Sequence, residues 1–165
     1  IPVSGVPTGG GGGIIQIKHT TKSDSFSSGT SSFNDITNFS VDITPTSNTS
    51  KILVMACIQY STSGNGGSRQ AVRLVRDSTA IAIGDAANNR VRCSASSETS
   101  GAGGNMKSAT INFLDSPNTT SAVTYKVQCA AIDGNNFQLN ATVEDSNISS
   151  YPRVASHITV MEVSA

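Results

Sequence analysis

Val123-Thr124-Tyr125-Lys126-Val127-Gln128-Cys129-Ala130-Ala131 carries the clearest alternation in the chain, with Val123, Tyr125, Val127, Cys129 and Ala131 against Thr124, Lys126 and Gln128. A period of two is that of a strand with one face in a core and the other in water. Downstream, Asp133-Gly134 favours the positive φ angles of a tight hairpin turn. The alternating stretch Phe137-Gln138-Leu139-Asn140-Ala141 then reads as the return strand. Upstream, Ala109, Ile111 and Phe113 alternate with Ser108, Thr110 and Asn112, and Asp115-Ser116-Pro117-Asn118 reads as a turn.

The same period runs through the rest of the chain. Ile14-Ile15-Gln16-Ile17-Lys18-His19 reads as a first strand, and Phe33, Thr37, Phe39, Val41 and Ile43 fall on one parity until Pro45 stops them. Between residues 51 and 60 both parities are apolar: Ile52, Val54, Ala56 and Ile58 on one, Leu53, Met55 and Cys57 on the other. A strand of that kind is expected at the centre of a sandwich or where a second subunit covers the sheet. Residues 69–76 could be read as a helix sharing Arg69, Arg73 and Arg76 on one face. The β-rich context and the alternation of Val72 and Leu74 favour a strand, with the arginines on a solvated or interface edge and an anion site as the alternative. Ile81-Ala82-Ile83, Val91-Arg92-Cys93 and residues 154–163 complete the set, with a glycine-rich loop at 96–105. About ten short strands with turn signals at this spacing predict an all-β fold, an antiparallel β-sandwich of jelly-roll type with no major helix.

The 165 residues suit one domain. Residues 1–13 end in the run Gly9 to Gly13, which reads as a flexible linker. The sandwich is then expected over 14–165. The first residues, Ile1-Pro2-Val3, lack the pattern of a signal peptide and suggest a segment upstream. Charged residues make up only 13% of the chain and the net charge is zero, so no long-range field draws in a polyanion, and nucleic-acid binding is not expected. No apolar run approaches the ~20 residues of a membrane-spanning helix, so no membrane insertion is expected.

Chemistry-bearing patterns are sparse. The chain lacks G-x-S-x-G, H-E-x-x-H and paired Cys/His zinc spacings, so it is read as a non-enzyme with no catalytic residue, metal site or cofactor. His19 and His157 lie among strand residues and read as packing or hydrogen-bonding groups. Cys57, Cys93 and Cys129 form no C-x-x-C pair; they read as buried free thiols, with one disulfide plus one thiol as the alternative. Glu144-Asp145 is an acid pair by adjacency only, and adjacent strand residues face opposite ways. Asp115 and Asp133 are accounted for by their turns. Five Asn-x-Ser/Thr stretches, at Asn38, Asn48, Asn118, Asn140 and Asn147, are read as chance in so Asn- and Ser-rich a chain.

Four stretches together resemble a recurring β domain of tailed-bacteriophage tail-fibre and virion structural proteins. They are the glycine run into Ile15-Gln16-Ile17-Lys18-His19-Thr20-Thr21-Lys22, and Ser40-Val41-Asp42-Ile43-Thr44-Pro45 with Ser50-Lys51-Ile52-Leu53-Val54. The others are Phe113-Leu114-Asp115-Ser116-Pro117 with Thr124-Tyr125-Lys126-Val127-Gln128, and residues 151–163 from Tyr151-Pro152-Arg153 onward. His157 and the stretch 61–106 depart from the pattern. The resemblance implies a terminal β domain of a virion appendage, homotrimeric and joined to other virion proteins, in an extracellular particle. It transfers no catalytic residue.

Variable loops on a steady scaffold are where binding specificity normally lies. Loops 61–68, 96–105 and 133–136 are therefore the expected contact with a host surface, through glycan. Asn65, Asn105, Asn135, Asn136 and Tyr151 are the candidate receptor-binding residues. A capsid decoration or fibre-building subunit with no receptor role is the alternative.

Overall fold

The computed structural model of the chain describes residues 12–62, 67–99 and 105–164. Its elements are β1 (Ile14–Lys22), β2 (Phe26–Ser28), β3 (Asn34–Ile43), β4 (Lys51–Thr62), β5 (Ser68–Arg76), β6 (Thr79–Ile81), β7 (Ala95–Thr99), β8 (Lys107–Asp115), β9 (Val123–Ala131), β10 (Phe137–Leu139) and β11 (Ser156–Val163). No helix occurs among the described residues.

Every strand pair is antiparallel. In the first sheet β1 pairs with β11, β11 with β4, and β4 with β8. β2 and β10 continue β1 and β11 along the same two ladder positions, β10 pairing with β2 and with the end of β4. The second sheet runs β3–β9–β5, and β6 and β7 share the far edge of β5. Taking β2 with β1, β10 with β11 and β6 with β7, the chain crosses between sheets at every step but the one from β5 to β6/β7, the order of two interleaved Greek keys. That is the jelly roll.

The core lies between the sheets. β4 contributes Ile52, Val54, Ala56, Ile58 and Tyr60, β9 contributes Val123, Tyr125, Val127, Cys129 and Ala131, and Val72, Leu74, Ile158 and Val160 fill in from β5 and β11. Tyr60 stacks on Phe137 with ring centroids 5.2 Å apart, and its hydroxyl donates to Ser97 Oγ. This satisfies the phenol while its ring fills the core.

Several expectations change on the structure. In β3 the buried residues are Ile36, Phe39, Val41 and Ile43, and Thr37 is exposed. The register of β3 against β9 shifts between Asp35 and Ser40, and Asn38 there has φ 57°. From Asp35 to Ser40 β3 advances five residues against two on β9, and that odd excess reverses the pleat, so a single parity cannot describe the strand. Val91-Arg92-Cys93 is not a strand. The ladder on β5 is made by β7, including Ser96, Ser97 and Glu98, which the sequence reading assigned to a loop. Asp133-Gly134 makes a turn, with Gly134 at φ 77°, but no hairpin follows. β10 crosses to the other sheet and pairs with β4 and β2. Of the glycine run read as a hinge, residues 9–11 lie outside the described residues.

Buried polar groups tie the layers together at chosen points. Asp115, at the end of β8, is buried; both its oxygens accept from Arg76 Nη1 at 2.9 and 2.8 Å, and Tyr125 Oη donates to it at 2.7 Å. Burial, then the neighbouring Asp115, pushes the Tyr125 phenol far above its ordinary ionisation range. Asp115 is therefore an anchor between sheets as well as the start of a turn, which corrects its sequence reading. Asn140, fully buried with φ 59°, donates through Nδ2 to the carbonyls of Lys22 and Asp24 and accepts from Ser156 Oγ at 2.6 Å. It fixes the corner where β10 ends and a long excursion, residues 141–155, begins.

Candidate functional site

Jelly-roll topology gathers alternate connections at one end of the sandwich. The described ends of the β2–β3, β4–β5, β7–β8 and β9–β10 connections lie there, while residues 63–66 and 100–104 of the expected contact loops lie outside the described residues. Asn135 Nδ2 donates to Ser68 Oγ at 2.6 Å. Arg69 donates from its backbone to Asp133 Oδ2 at 2.9 Å and forms ion pairs with Asp133 and Glu98. Gly29 lets Asn136 approach, since a Cβ there would stand 2.7 Å from Asn136 Oδ1. Asn105 is exposed on the coil entering β8, and Asn105 and Asn136 both have partners in the protein. Asn65 lies outside the described residues. The loop end is thus a braced surface whose charges answer one another.

Tyr151 belongs elsewhere, on the 141–155 excursion. Its hydroxyl donates to Glu144 Oε2 at 2.9 Å, a bond that holds the phenol above its ordinary pKa. Arg153 grips Asp145 with both arms of the guanidinium, Nε to Oδ1 at 2.6 Å and Nη2 to Oδ2 at 2.5 Å. Glu144 and Asp145 therefore answer separate partners rather than forming an acid pair across one cleft. A cleft of about 290 Å³ opens between Asp145, Ser146, Asn147, Ile148, Tyr151 and Arg153.

The two outer faces of the sandwich differ sharply. The outer face of the second sheet is charged and cross-linked. Asp35 accepts from Lys126 and Gln128 at 2.7 Å each, Arg73 donates to Gln128 at 2.8 Å, and the Arg73 guanidinium lies 4.1 Å from the centre of the Phe33 ring. With Arg69 and Arg76 paired as above, each of the three arginines that could have shared a helical face has a partner in its own chain.

The outer face of the first sheet carries no charge over three successive cross-strand rows. Ile17, Met161, Leu53 and Leu114 stand abreast across β1, β11, β4 and β8. The next row is His19, Thr159, Met55 and Asn112, and the third is Thr21, His157, Cys57 and Thr110. Ile17 and Leu114 are each 55% exposed and Met55 is 40% exposed. The second apolar parity of β4 is therefore real but left half-open by the single chain. His19 accepts or donates to Thr159 Oγ1 at 2.8 Å and Thr21 Oγ1 at 2.7 Å, and its ring lies 5.8 Å from that of His157. His19 is a hydrogen-bonding residue of this face, and His157 packs its ring beside it.

All three cysteines are free thiols; Cys129 is buried, which pushes its thiol up to about 12, and Cys57 and Cys93 are half-buried. Among the described residues no group of three or more His, Cys, Asp or Glu comes together that could hold a metal ion.

Two buried acids at strand ends were not expected from the sequence, Asp115 being given to its turn and Glu162 no role. Asp115 continues the buried parity of Ala109 and Ile111, and Glu162 continues that of Ile158 and Val160. A carboxylate on a buried parity is the signal that would have found both.

No protein-family model matches the chain, and no curated protein matches it significantly. Among solved structures it is similar to infectious bursal disease virus, Gx strain, at 15% identity and TM-score 0.44 over 90% of this chain and 40% of that one. It is also similar to the VP2 subviral particle of infectious bursal disease virus, at 16% identity and TM-score 0.40 over 99% of this chain and 43% of that one. The chain thus spans less than half the length of either.

Proposed function

We propose that this chain is a non-catalytic structural module of a virus particle, the terminal domain of a bacteriophage tail fibre that assembles as a homotrimer and meets the host surface. The observation that carries the reading is the uncharged outer face of β1–β11–β4–β8. With strands about 4.8 Å apart and rows about 6.8 Å apart, the four strands and three rows cover roughly 400 Å². Half of its twelve positions, Ile17, Met161, Leu53, Leu114, Met55 and Cys57, are apolar and the rest are uncharged polar groups, a mixture suited to contact with another protein surface. The occupant that fits is a second copy of this chain. A partner steered by charge would find nothing to pair with here, whereas the same uncharged rows of three chains can meet around a threefold axis without leaving an unpaired ion. Threefold closure is what the tail-fibre resemblance implies. The jelly-roll architecture adds support, since it recurs in capsid and lectin domains.

A second reading, a decoration or fibre-building subunit without receptor contact, draws on the loop end, where Asn135, Arg69 and Asp133 are engaged with one another. Immunogold labelling of particles that carry the chain separates the two. Label at the tip of an appendage is the expected result. Label over the capsid shell supports the decoration reading, and purified particles free of label refute both.

A further inference from the structure

We infer that the cleft on the 141–155 excursion is a binding site for an uncharged saccharide. This rests on the reading of the chain as a host-contacting domain and relocates that contact away from the braced loop end. Three features of the cleft point to the ligand class. First, it has an apolar wall: Ile148 is 53% exposed beside the half-buried ring of Tyr151. An exposed aliphatic group beside an aromatic ring matches the C–H face of a pyranose, and the bond from Tyr151 to Glu144 holds that ring in place. Second, the polar wall consists of planar groups in pairs, the Asp145 carboxylate locked to the Arg153 guanidinium with Asn147 next to them. Each Asp145 oxygen accepts one bond from Arg153 and keeps a second lone pair, so the pair fixes two adjacent acceptors at a spacing that vicinal hydroxyls match. Third, the ionic charges cancel. Asp145 and Arg153 neutralise each other, so an acidic sugar meets no surplus of positive charge.

The cleft is also pre-shaped. Asp145 is held at φ 44°, a left-handed conformation uncommon for a residue with a side chain. The backbone of Tyr151 donates to Ile148 and that of Val154 to Asn140, pinning the excursion to the buried corner. Asp145 also borders a second cleft of about 220 Å³ lined by Ser25, Ser27 and Gln138. The two adjoining spaces reach the size of small-ligand sites, roughly 300–1,000 Å³. The site thus has room for more than one sugar ring.

Saturation-transfer NMR tests this on the purified chain in its assembled form. The probes are maltotriose, cellotriose and triacetylchitotriose, with 3′-sialyllactose as the acidic counterpart, at concentrations of roughly 10 mM suited to millimolar affinity. At least one neutral trisaccharide is expected to give signal. Asn147→Ala and Ile148→Ser, both at exposed positions, are each expected to weaken it by about fivefold, the scale of one lost contact. Thr120→Ala, in an exposed turn distant from the cleft in sequence and fold, is expected to leave it unchanged. Silence from all neutral probes, signal from the acidic probe alone, or signal unaffected by both cleft substitutions would overturn the inference. Solution mass, measured on the same samples, reports on assembly independently, so failure of the cleft and failure of the trimer are told apart.

Discussion

Glu162 offers a sharp test of how the sandwich end is held. It is fully buried on β11, and neutral donors hold its carboxylate: Gln16 Nε2 to Oε2 at 2.6 Å, and the Thr46 amide and hydroxyl to Oε1 at 2.7 Å each. Burial pushes the carboxyl up, but the hydrogen bonds from Gln16 and Thr46 outweigh it and hold its pKa at about 2, against an ordinary 4.5. The folded value lies below the unfolded one. Its contribution to stability is therefore complete above about pH 4.5 and is lost as pH falls toward 2. A depression of that size corresponds to roughly 3 kcal/mol. Thr46, which covers the group, is itself exposed, and screening by water brings the working figure to roughly 2 kcal/mol. Glu162→Gln keeps the volume and one acceptor oxygen but sets an amide N–H against that of Gln16. Urea unfolding followed by circular dichroism at several pH values is the assay. Near pH 7 the variant should be less stable by about 2 kcal/mol, and the gap should close as pH approaches 2. Asp24 and Asp35, also lowered by their lysine partners, are common to both proteins and cancel in the difference. Stability curves that stay parallel from pH 6 to 2 would refute the reasoning.

Other consequences follow from the same geometry. Arg76→Ala leaves Asp115 buried without its cation and should cost about 3–5 kcal/mol in chemical unfolding, against about 1 kcal/mol for Tyr125→Phe; equal costs would contradict the assignment of Arg76 as the compensating charge. Asn140→Ala should destabilise more than Asn140→Gly by about 1 kcal/mol, because glycine keeps the positive φ that alanine resists. In absorbance titration all three tyrosines should ionise above the ordinary 10: Tyr60 and Tyr125 chiefly through burial, and Tyr151 through its bond to Glu144. A phenolate step at 10 or below in the folded protein would count against these contacts.

The alternation in β9 and β8 was legible because each strand sets one face toward the core and the other toward water, so the period of two is written in side-chain polarity; β4 was legible as a strand apolar on both faces. β7 was not, because its ladder with β5 is made by backbone groups and Ser96 and Ser97 bury little that polarity could reveal. β3 misled at Asn38, where a positive φ slips the phase. Asp133-Gly134 misled because turn chemistry fixes the bend and not which strand the chain meets next. Long-range pairing is set by the core as a whole. The candidate site was legible only in part. Asn135 and Asn136 do sit with other loops, while Tyr151 sits on an excursion whose cleft exists only once Asn140 has fixed its corner.

The central claim, self-association through the outer face of β1–β11–β4–β8, is tested most directly by light scattering after gel filtration on the parent chain and on Leu114→Glu. Leu114 is more than half exposed, so the substitution should alter the stability of the single chain by only about 0.5 kcal/mol or less. In an assembly it would bury a charge in every interface. A mass of three chains for the parent and one for the variant is the predicted result. A monomeric parent, or a variant with the parent's mass, would contradict it.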